Sequence, residues 1–314
     1  MKATLIFNKN AGGTSQYRPE DLIAGLAEAG YEAVYRETAS EKELDEVLSS
    51  LEGLVVAAGG DGTLRAVALR LVGQDIPLAL LPLGTANNIG NAFGIHGKPH
   101  EIVRSLENPH KRKFDMGRVT TPWGEEYFLE GMGYGFFADA LALYDPEQDK
   151  SILRSVSTLV QTLNNYRTYD EGLILDGEKI SGKYLMVEVL NTRSIGPRLH
   201  LAPDADPNDG FLDVVCVASE EQVNFLRYVT GMLTERLDFV PGVRRFSVRK
   251  ITFIWTGFPF HIDDKIHFRK GDLMQETGQG GTAFKPTDAK EEIVSVEVLP
   301  HALELWLPDM KLES

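Results

Sequence analysis

The chain is 314 residues long and 43% hydrophobic, enough for a large buried core and for two domains of ordinary size. Its 32 basic side chains are outnumbered by 46 acidic ones, for a formal charge of −14, which argues against a general nucleic-acid binder and against electrostatic capture by an anionic membrane. The one cysteine, Cys216, leaves no intrachain disulfide and fits a reducing compartment. It sits in the apolar run Leu212 to Ala218, where a buried small hydrophobe is expected.

The N-terminus, Met1 and Lys2, leads directly into a strand-like run from Ala3 to Phe7, too short for a signal-peptide core. Pro19 then opens a helix that Gly30 closes, and a second strand starts at Tyr31. Ser40 and Glu43 have the spacing of a capping box, ahead of Leu44, Val47, Leu48 and Leu51 on one helical face. Leu54 to Ala58 and Ile76 to Leu81 are continuous apolar runs of the kind buried on both sides in a parallel sheet. The alternation predicts an α/β nucleotide-binding domain, a parallel sheet with flanking helices, over residues 1–118.

From residue 119 to 314 the pattern changes to shorter β-like runs: Glu126 to Glu130, Gly172 to Leu175, Tyr184 to Leu190, Leu212 to Val217 and Lys250 to Trp255. Gly, Pro and Asp turns separate them. A β-rich second domain follows, with the last residues candidates to return to the first. Helical stretches at about Ile152 to Tyr166 and Glu220 to Leu237 read as packing helices rather than membrane-docking ones. Phe268 to Glu291 is polar, glycine-rich and nearly aperiodic, with the character of a flexible loop or lid. Arg244, Arg245, Arg249 and Lys250 form the densest basic run, read as a solvated, salt-bridged face. No apolar run reaches the roughly 18 residues that span a bilayer, so the expectation is a cytoplasmic protein with at most transient peripheral membrane contact.

Two glycine-rich segments end the buried strands of the first domain: Gly59-Gly60-Asp61-Gly62-Thr63, and Leu81-Pro82-Leu83-Gly84-Thr85-Ala86-Asn87-Asn88. Ligands of open α/β sheets bind where such strands end. Glycines there let backbone N–H groups approach a phosphate, and Leu64, Val67, Ala68 and Leu71 mark a helix whose N-terminus favours an anion. Gly60, Gly62 and Thr63 are candidate phosphate contacts, faced by Gly84, Thr85 and Asn87. The competing reading of Asp61-Gly62 is a tight turn.

The pair resembles the nucleotide site of the diacylglycerol kinase-like lipid kinases, a family that includes bacterial lipid kinases and sphingosine kinases. Its loops are written G-G-D-G-T and P-x-G-T-x-N-D, with Asn88 here in the last place. NAD kinases and phosphofructokinases share the first loop, and the second narrows the choice. Phe7 to Gly13 is similar to the family's first nucleotide loop, with Lys9 in place of its usual Pro, and Phe128 to Gly135 and Asn191 to Val214 are similar to later motifs.

The resemblance implies ATP and Mg²⁺ as cofactors, a lipid substrate, and nucleotide contacts at Asn8, Lys9, Asn10, Gly12 and Thr38 as well as both glycine loops. An acid facing phosphates is repulsive unless a cation lies between or it binds elsewhere, and Asp61 is assigned to the Mg²⁺ network, directly or through water. Asp115 is either a further member or a turn residue before Gly117. Asp206 and Asp209 offer hard oxygens; an Asp/Asn/Gly turn is the alternative, and the resemblance adds a structural Mg²⁺ completed by the Phe211 carbonyl. Asp263, in His261-Ile262-Asp263-Asp264-Lys265, takes the place of the first acid of the family's D-G-E segment, implying the catalytic base. Lys265 stands where Glu is usual. The expectation is an ATP-dependent kinase acting on a hydroxyl of diacylglycerol or a related lipid alcohol. A catalytically weak nucleotide- or lipid-binding regulator and an NAD kinase stay open beside it. The oligomeric state is not legible.

Overall fold

The computed structural model describes residues 1–8, 16–37, 41–49, 51–142, 168–196, 198–219, 231, 242–267, 273–277, 281–285 and 291–309. The chain divides into two compact units, Met1–Asp115 with Pro300–Ser314, and Met116–Leu299.

In chain order the first half comprises β1 (Lys2–Phe7), α1 (Pro19–Glu28), β2 (Glu32–Glu37), α2 (Glu41–Leu48), β3 (Leu54–Gly59), α3 (Asp61–Leu71), β4 (Leu78–Pro82), α4 (Asn88–Ala92), α5 (Pro99–Ser105) and β5 (His110–Thr121). There follow β6 (Gly124–Phe128), β7 (Gly131–Gly135), α6 (Phe136–Ala142), β8 (Tyr169–Leu175), β9 (Glu178–Leu190), β10 (Ser194–Ile195), β11 (Leu199–His200) and β12 (Leu212–Ala218). The last are β13 (Val243–Val248), β14 (Lys250–Trp255), β15 (Phe260–Ile262), β16 (Lys265–His267), β17 (Leu273–Thr277), β18 (Gly281–Lys285) and β19 (Glu292–Leu307).

The first unit is built on a parallel sheet in the order β2-β1-β3-β4. The end of β19 joins β4 in parallel through Leu305 and Leu78. Every residue of β3 is buried, as a strand covered by helices on both faces requires. Pro19 occupies the first turn of α1 beside Glu20 and Asp21, which suit the positive end of the helix. Gly30 follows at φ 87°, a left-handed conformation that glycine adopts freely. Leu64, Val67, Ala68 and Leu71 are buried along α3. On α2, Leu44 and Leu48 are buried, but the helix stops at Leu48, so Leu51 lies beyond it. Asp115 is not in a turn. It lies within β5, fully buried, and its carboxylate accepts the His301 N–H at 2.7 Å, which holds the positive-φ turn of β19.

The second unit is antiparallel. β9 is flanked by β8, β7 and β12, β13 edges β12, and β14 joins β8 to the first part of β19. One sheet face buries an aromatic core in which Tyr134 lies 4.7 Å from Phe258, 5.1 Å from Phe253 and 5.3 Å from Tyr169 between ring centroids. The other buries Phe136 and Phe137 of α6 with Met186, Leu190, Val215 and Val217. The alternation of β9 follows from this: Val187 and Val189 face the aromatic core, Met186 and Leu190 the other side. The basic run is in part ion-paired, Lys250 with Glu297 at 2.5 Å, while Arg249 lies over the Phe211 ring.

The aperiodic stretch from Phe268 to Glu291 is not wholly loop, because β17 and β18 pair antiparallel within it. The stretch from Ile152 to Tyr166 lies outside the described residues, as does Glu220 to Leu237 apart from residue 231.

Candidate functional site

Strands β1, β3 and β4 run parallel, so Asn8, Gly59 and Pro82 come to one sheet edge. There the two glycine loops meet. The Leu83 N–H donates to the Gly59 carbonyl at 2.8 Å. A Cβ on Gly84 would sit 2.5 Å from Gly60 Cα, and one on Gly59 2.5 Å from Thr63 Oγ1. Each of these glycines is required by a close approach inside the protein. Gly62 is different: it is exposed, and a Cβ there would meet nothing within 4 Å beyond its own helix.

Gly60 follows β3 in extended conformation and caps α3, its carbonyl accepting from the Thr63 N–H at 3.0 Å and the Leu64 N–H at 3.1 Å. The helix therefore begins at Asp61 and Gly62, with its positive end at the loop. Asn8 Nδ2 donates to Thr63 Oγ1 at 3.0 Å. Having accepted there, the Thr63 hydroxyl has its own proton to give to an anion.

Asn87 serves the loop itself. It takes a left-handed φ of 53°, its Oδ1 accepts the Gly84 N–H at 2.9 Å, and its Nδ2 donates to the Gly84 carbonyl at 2.8 Å. The side chain folds over its own turn rather than reaching outward. Asp61 reaches across to the second loop, Oδ2 accepting the Asn88 N–H at 3.2 Å and Oδ1 the Ile89 N–H at 3.5 Å. Thr85 is exposed at the tip of that loop. Lys9, Asn10, Gly12 and Thr38 lie outside the described residues.

In the second unit, β15 and β16 form a hairpin whose turn is Asp263-Asp264, with Asp263 at φ 52°. The Asp263 carboxylate, 6% exposed, points into a row of amides. It accepts N–H groups from Leu129 at 3.1 Å, Glu130 at 2.9 Å and Gly131 at 3.2 Å. The Asp263 N–H donates back to the Gly131 carbonyl at 2.8 Å. Asn191 Nδ2 holds the same segment through the Leu129 carbonyl at 2.9 Å. Phe128 to Gly135, Asn191 and the Asp263 turn, separate motifs in the sequence, are thus one knot of hydrogen bonds. Lys265 and Asp264 are exposed beside it.

Directly behind the turn lie two residues not singled out from the sequence, Glu188 and His261. Both are fully buried, with Oε2 and Nε2 2.8 Å apart. Burial pushes the Glu188 carboxyl above its ordinary range, opposed by His261. The signal was present: Glu188 is the one charged residue in the apolar run Tyr184 to Leu190.

Asp206 and Asp209 are both exposed, in a turn where the Asp209 N–H donates to the Asp206 carbonyl at 3.3 Å and Asp209 Oδ1 accepts the Phe211 N–H at 2.9 Å. Gly210 supplies a φ of 78°. The Asp/Asn/Gly turn is therefore real, and both acidic residues are exposed on it. Nearby, burial and then the charges of Asp209 and Asp204 push the Asp213 carboxyl up to about 6, against the pull of Arg245. Among the described residues no group of three or more His, Cys, Asp or Glu side chains is placed to hold a metal ion.

A parallel-sheet unit with phosphate-type loops, followed by an antiparallel β unit, defines a two-domain kinase architecture. Residues 2–119 match the diacylglycerol kinase catalytic domain, and residues 141–269 the YegS C-terminal NAD kinase beta sandwich-like domain. A probable lipid kinase YegS-like protein of Pseudomonas aeruginosa is 31% identical over 257 residues, 79% of this chain and 80% of its own. Another, from Pseudomonas putida, is 33% identical over 198 residues, 61% of this chain. The match spans 65% of that relative's length, just under two thirds. A crystal structure of a diacylglycerol kinase from Bacillus anthracis shares the fold at a TM-score of 0.66 and 18% identity, over 98% of this chain and 97% of that one. The chain belongs to the diacylglycerol kinase and YegS-like lipid kinase family. Among the described residues, no helix is long and apolar enough to cross a membrane.

Proposed function

We propose that the chain is an ATP-dependent, Mg²⁺-requiring kinase that phosphorylates a hydroxyl of diacylglycerol or a related lipid alcohol. The observation that carries this reading is Gly62. Its neighbours Gly59, Gly60 and Gly84 are glycines because the protein packs against them, whereas Gly62 opens onto empty space at a helix N-terminus. A residue kept small there makes room for something outside the chain, and the α3 amides and the Thr63 hydroxyl favour a phosphate.

Bound ATP supplies the transferable phosphoryl group and Mg²⁺ offsets the charge that develops on it. Gly60, Gly62 and Thr63 hold the phosphates, with Gly84 and Thr85 facing them. Asn8 orients the Thr63 hydroxyl, and Asn87 sets the second loop in shape. Asp61 joins the two loops and is the acid of the metal network in this reading. Lys9, Asn10, Gly12 and Thr38 complete the nucleotide contacts in this reading. Asp263 is the base that takes the proton of the acceptor hydroxyl, its carboxylate oriented by the Leu129 to Gly131 amides.

A second, structural Mg²⁺ is held by Asp206, Asp209 and the Phe211 carbonyl. The donor set is of the right kind, since two carboxylates and a carbonyl in one tight turn supply the hard oxygens that Mg²⁺ selects. The protein acts from the cytoplasm, touching the bilayer only while it takes its substrate. Incubation with ATP and Mg²⁺ against diacylglycerol, other dispersed lipid alcohols and NAD tests the reading. Phosphorylated lipid is expected; phosphorylated NAD, or nucleotide binding without consumption, would replace it with one of the other two readings.

A further inference from the structure

The strand β7 carries glycine at 131, 133 and 135, and the phosphate chemistry above uses only the Gly131 amide. Gly133 pairs with Glu188 on one side and His261 on the other. A Cβ on Gly133 would lie 2.2 Å from Glu188 Oε2, so its absence is what lets the glutamate cross the strand to reach the histidine. The face is then sealed by Phe137 of α6, whose ring meets the His261 ring edge-on at 4.9 Å between centroids.

The protonation pattern follows from the partners. His261 Nδ1 is 3.0 Å from the carbonyl oxygen of Asp263. A carbonyl can only accept, so Nδ1 carries a proton. Nε2 and Glu188 Oε2 must then share a further proton, as carboxylic acid and imidazole or as carboxylate and imidazolium. Both arrangements leave the buried pair neutral. Without that proton a bare carboxylate would face a bare ring nitrogen in a dry interior, and the contact would become repulsive.

We propose that Glu188 and His261 are positioning residues for phosphoryl transfer: a proton shared between them braces the Asp263 turn through its carbonyl, and loss of that proton at alkaline pH lets the turn relax. This rests on the reading that the Asp263 turn belongs to the transfer site. The turn has good reason to need a brace, because Asp263 is held at a left-handed φ of 52°, a conformation unfavourable to a residue with a side chain. Around the pair, β7 presents Gly133, β12 presents Val215 and α6 presents Phe137. The charged and histidine side chains on these elements, on β16 beside His261 and on the adjoining 193–205 segment are Asp139, Arg193, Arg198, His200, Asp204, Asp213, Lys265 and His267. Among the described residues His261 is the group whose charge acts on Glu188. The raised Glu188 carboxyl agrees in sign, since a group that keeps its proton above the ordinary range loses it only as pH rises.

The test uses the full chain with nitrogen-15 in its histidines and His261 assigned by its disappearance in His261→Gln. Wild type should show Nδ1 protonated at neutral pH and a ring-nitrogen shift as the shared proton leaves on the alkaline side. Glu188→Gln should show no such shift, because its amide donates to Nε2 without titrating. Lipid phosphorylation, with each protein referred to its own rate at about pH 7, should fall about tenfold in wild type towards alkaline pH and stay nearly level in Glu188→Gln. The KM for ATP should not follow this change. Parallel pH profiles in the two proteins, or a His261 ring without its Nδ1 proton, would overturn the proposal. The wild-type ring shifts decide the point even if Glu188→Gln does not fold. A wild type that phosphorylates no lipid would instead count against the kinase reading, with the ring shifts still deciding whether the brace exists.

Discussion

Asp61 fastens one glycine loop to the other, its carboxylate accepting the Asn88 N–H at 3.2 Å across 27 residues of sequence. The same acid thus has a structural partner in the protein and, in the proposed function, a metal to organise. Asp61→Asn separates these duties, because an amide oxygen still accepts one N–H while the charge is gone. Stability should fall by about 1–2 kcal/mol, read in a thermal melt, and turnover by about two orders of magnitude or more. Unchanged turnover at saturating Mg²⁺ would remove Asp61 from the metal network.

Gly84 and Gly62 should respond oppositely to the same substitution. Gly84→Ala forces a Cβ to 2.5 Å from Gly60 Cα, backbone against backbone, and should destabilise the fold by about 1–3 kcal/mol. Gly62→Ala meets no atom within 4 Å beyond its own helix, so stability should hold or rise by up to about 1 kcal/mol from helix propensity. Its ATP affinity should nevertheless drop. Melts and nucleotide titrations on the two variants decide this; a Gly62→Ala protein that binds ATP like wild type would leave that glycine without a ligand to explain it.

The Asp206–Asp209 turn predicts a nucleotide-independent response to Mg²⁺. A cation that binds only the folded state raises the melting temperature by mass action. The rise should vanish on chelation and in the Asp206→Ala, Asp209→Ala double variant. Identical responses in wild type and variant would make the segment an ordinary turn.

Without divalent cation, Asp213 gives the same region a pH signature. Its carboxyl is pushed up to about 6 in the folded chain from 3.8, so between those values the folded state binds more protons than the unfolded one. Stability therefore falls as pH rises through that window. Asp213 is partly exposed, and solvent screening should hold the effect to about 1–2 kcal/mol. Denaturant melts on wild type should show the decline, and Asp213→Asn should flatten it; equal slopes would deny the shift.

The alternation of strands and helices in the first unit was legible because each element is local: a proline start, a glycine stop, or a buried apolar run. The glycine loops were legible for the same reason, since phosphate-type turns are contiguous in sequence. What stayed hidden depends on pairing at a distance. Of the two readings open for Asp115, metal-network member or turn residue, the turn fails because its partner, His301, is contributed by the far end of the chain. The bonds of Asn87 to Gly84 were hidden because they need a left-handed turn that composition alone does not reveal. Phe268 to Glu291 lacked strand periodicity, yet β17 and β18 pair within it, because the ladder is made by backbone groups that every residue type carries. Glu188 could be flagged as a charge in an apolar strand, but not matched to His261 without the register that sets both beside Gly133.

Transfer of phosphate from ATP to a lipid hydroxyl by the motifs that meet at Gly60 and Gly84 can be followed in a single assay. The purified 314-residue chain is given ATP labelled in its terminal phosphate, Mg²⁺ and diacylglycerol in mixed micelles, and the labelled lipid is extracted and quantified beside the Asp61→Asn protein. The account predicts labelled phospholipid from wild type, dependent on Mg²⁺ and reduced about a hundredfold in the variant. A folded wild type that leaves ATP unspent with diacylglycerol and with every other lipid alcohol offered would contradict it.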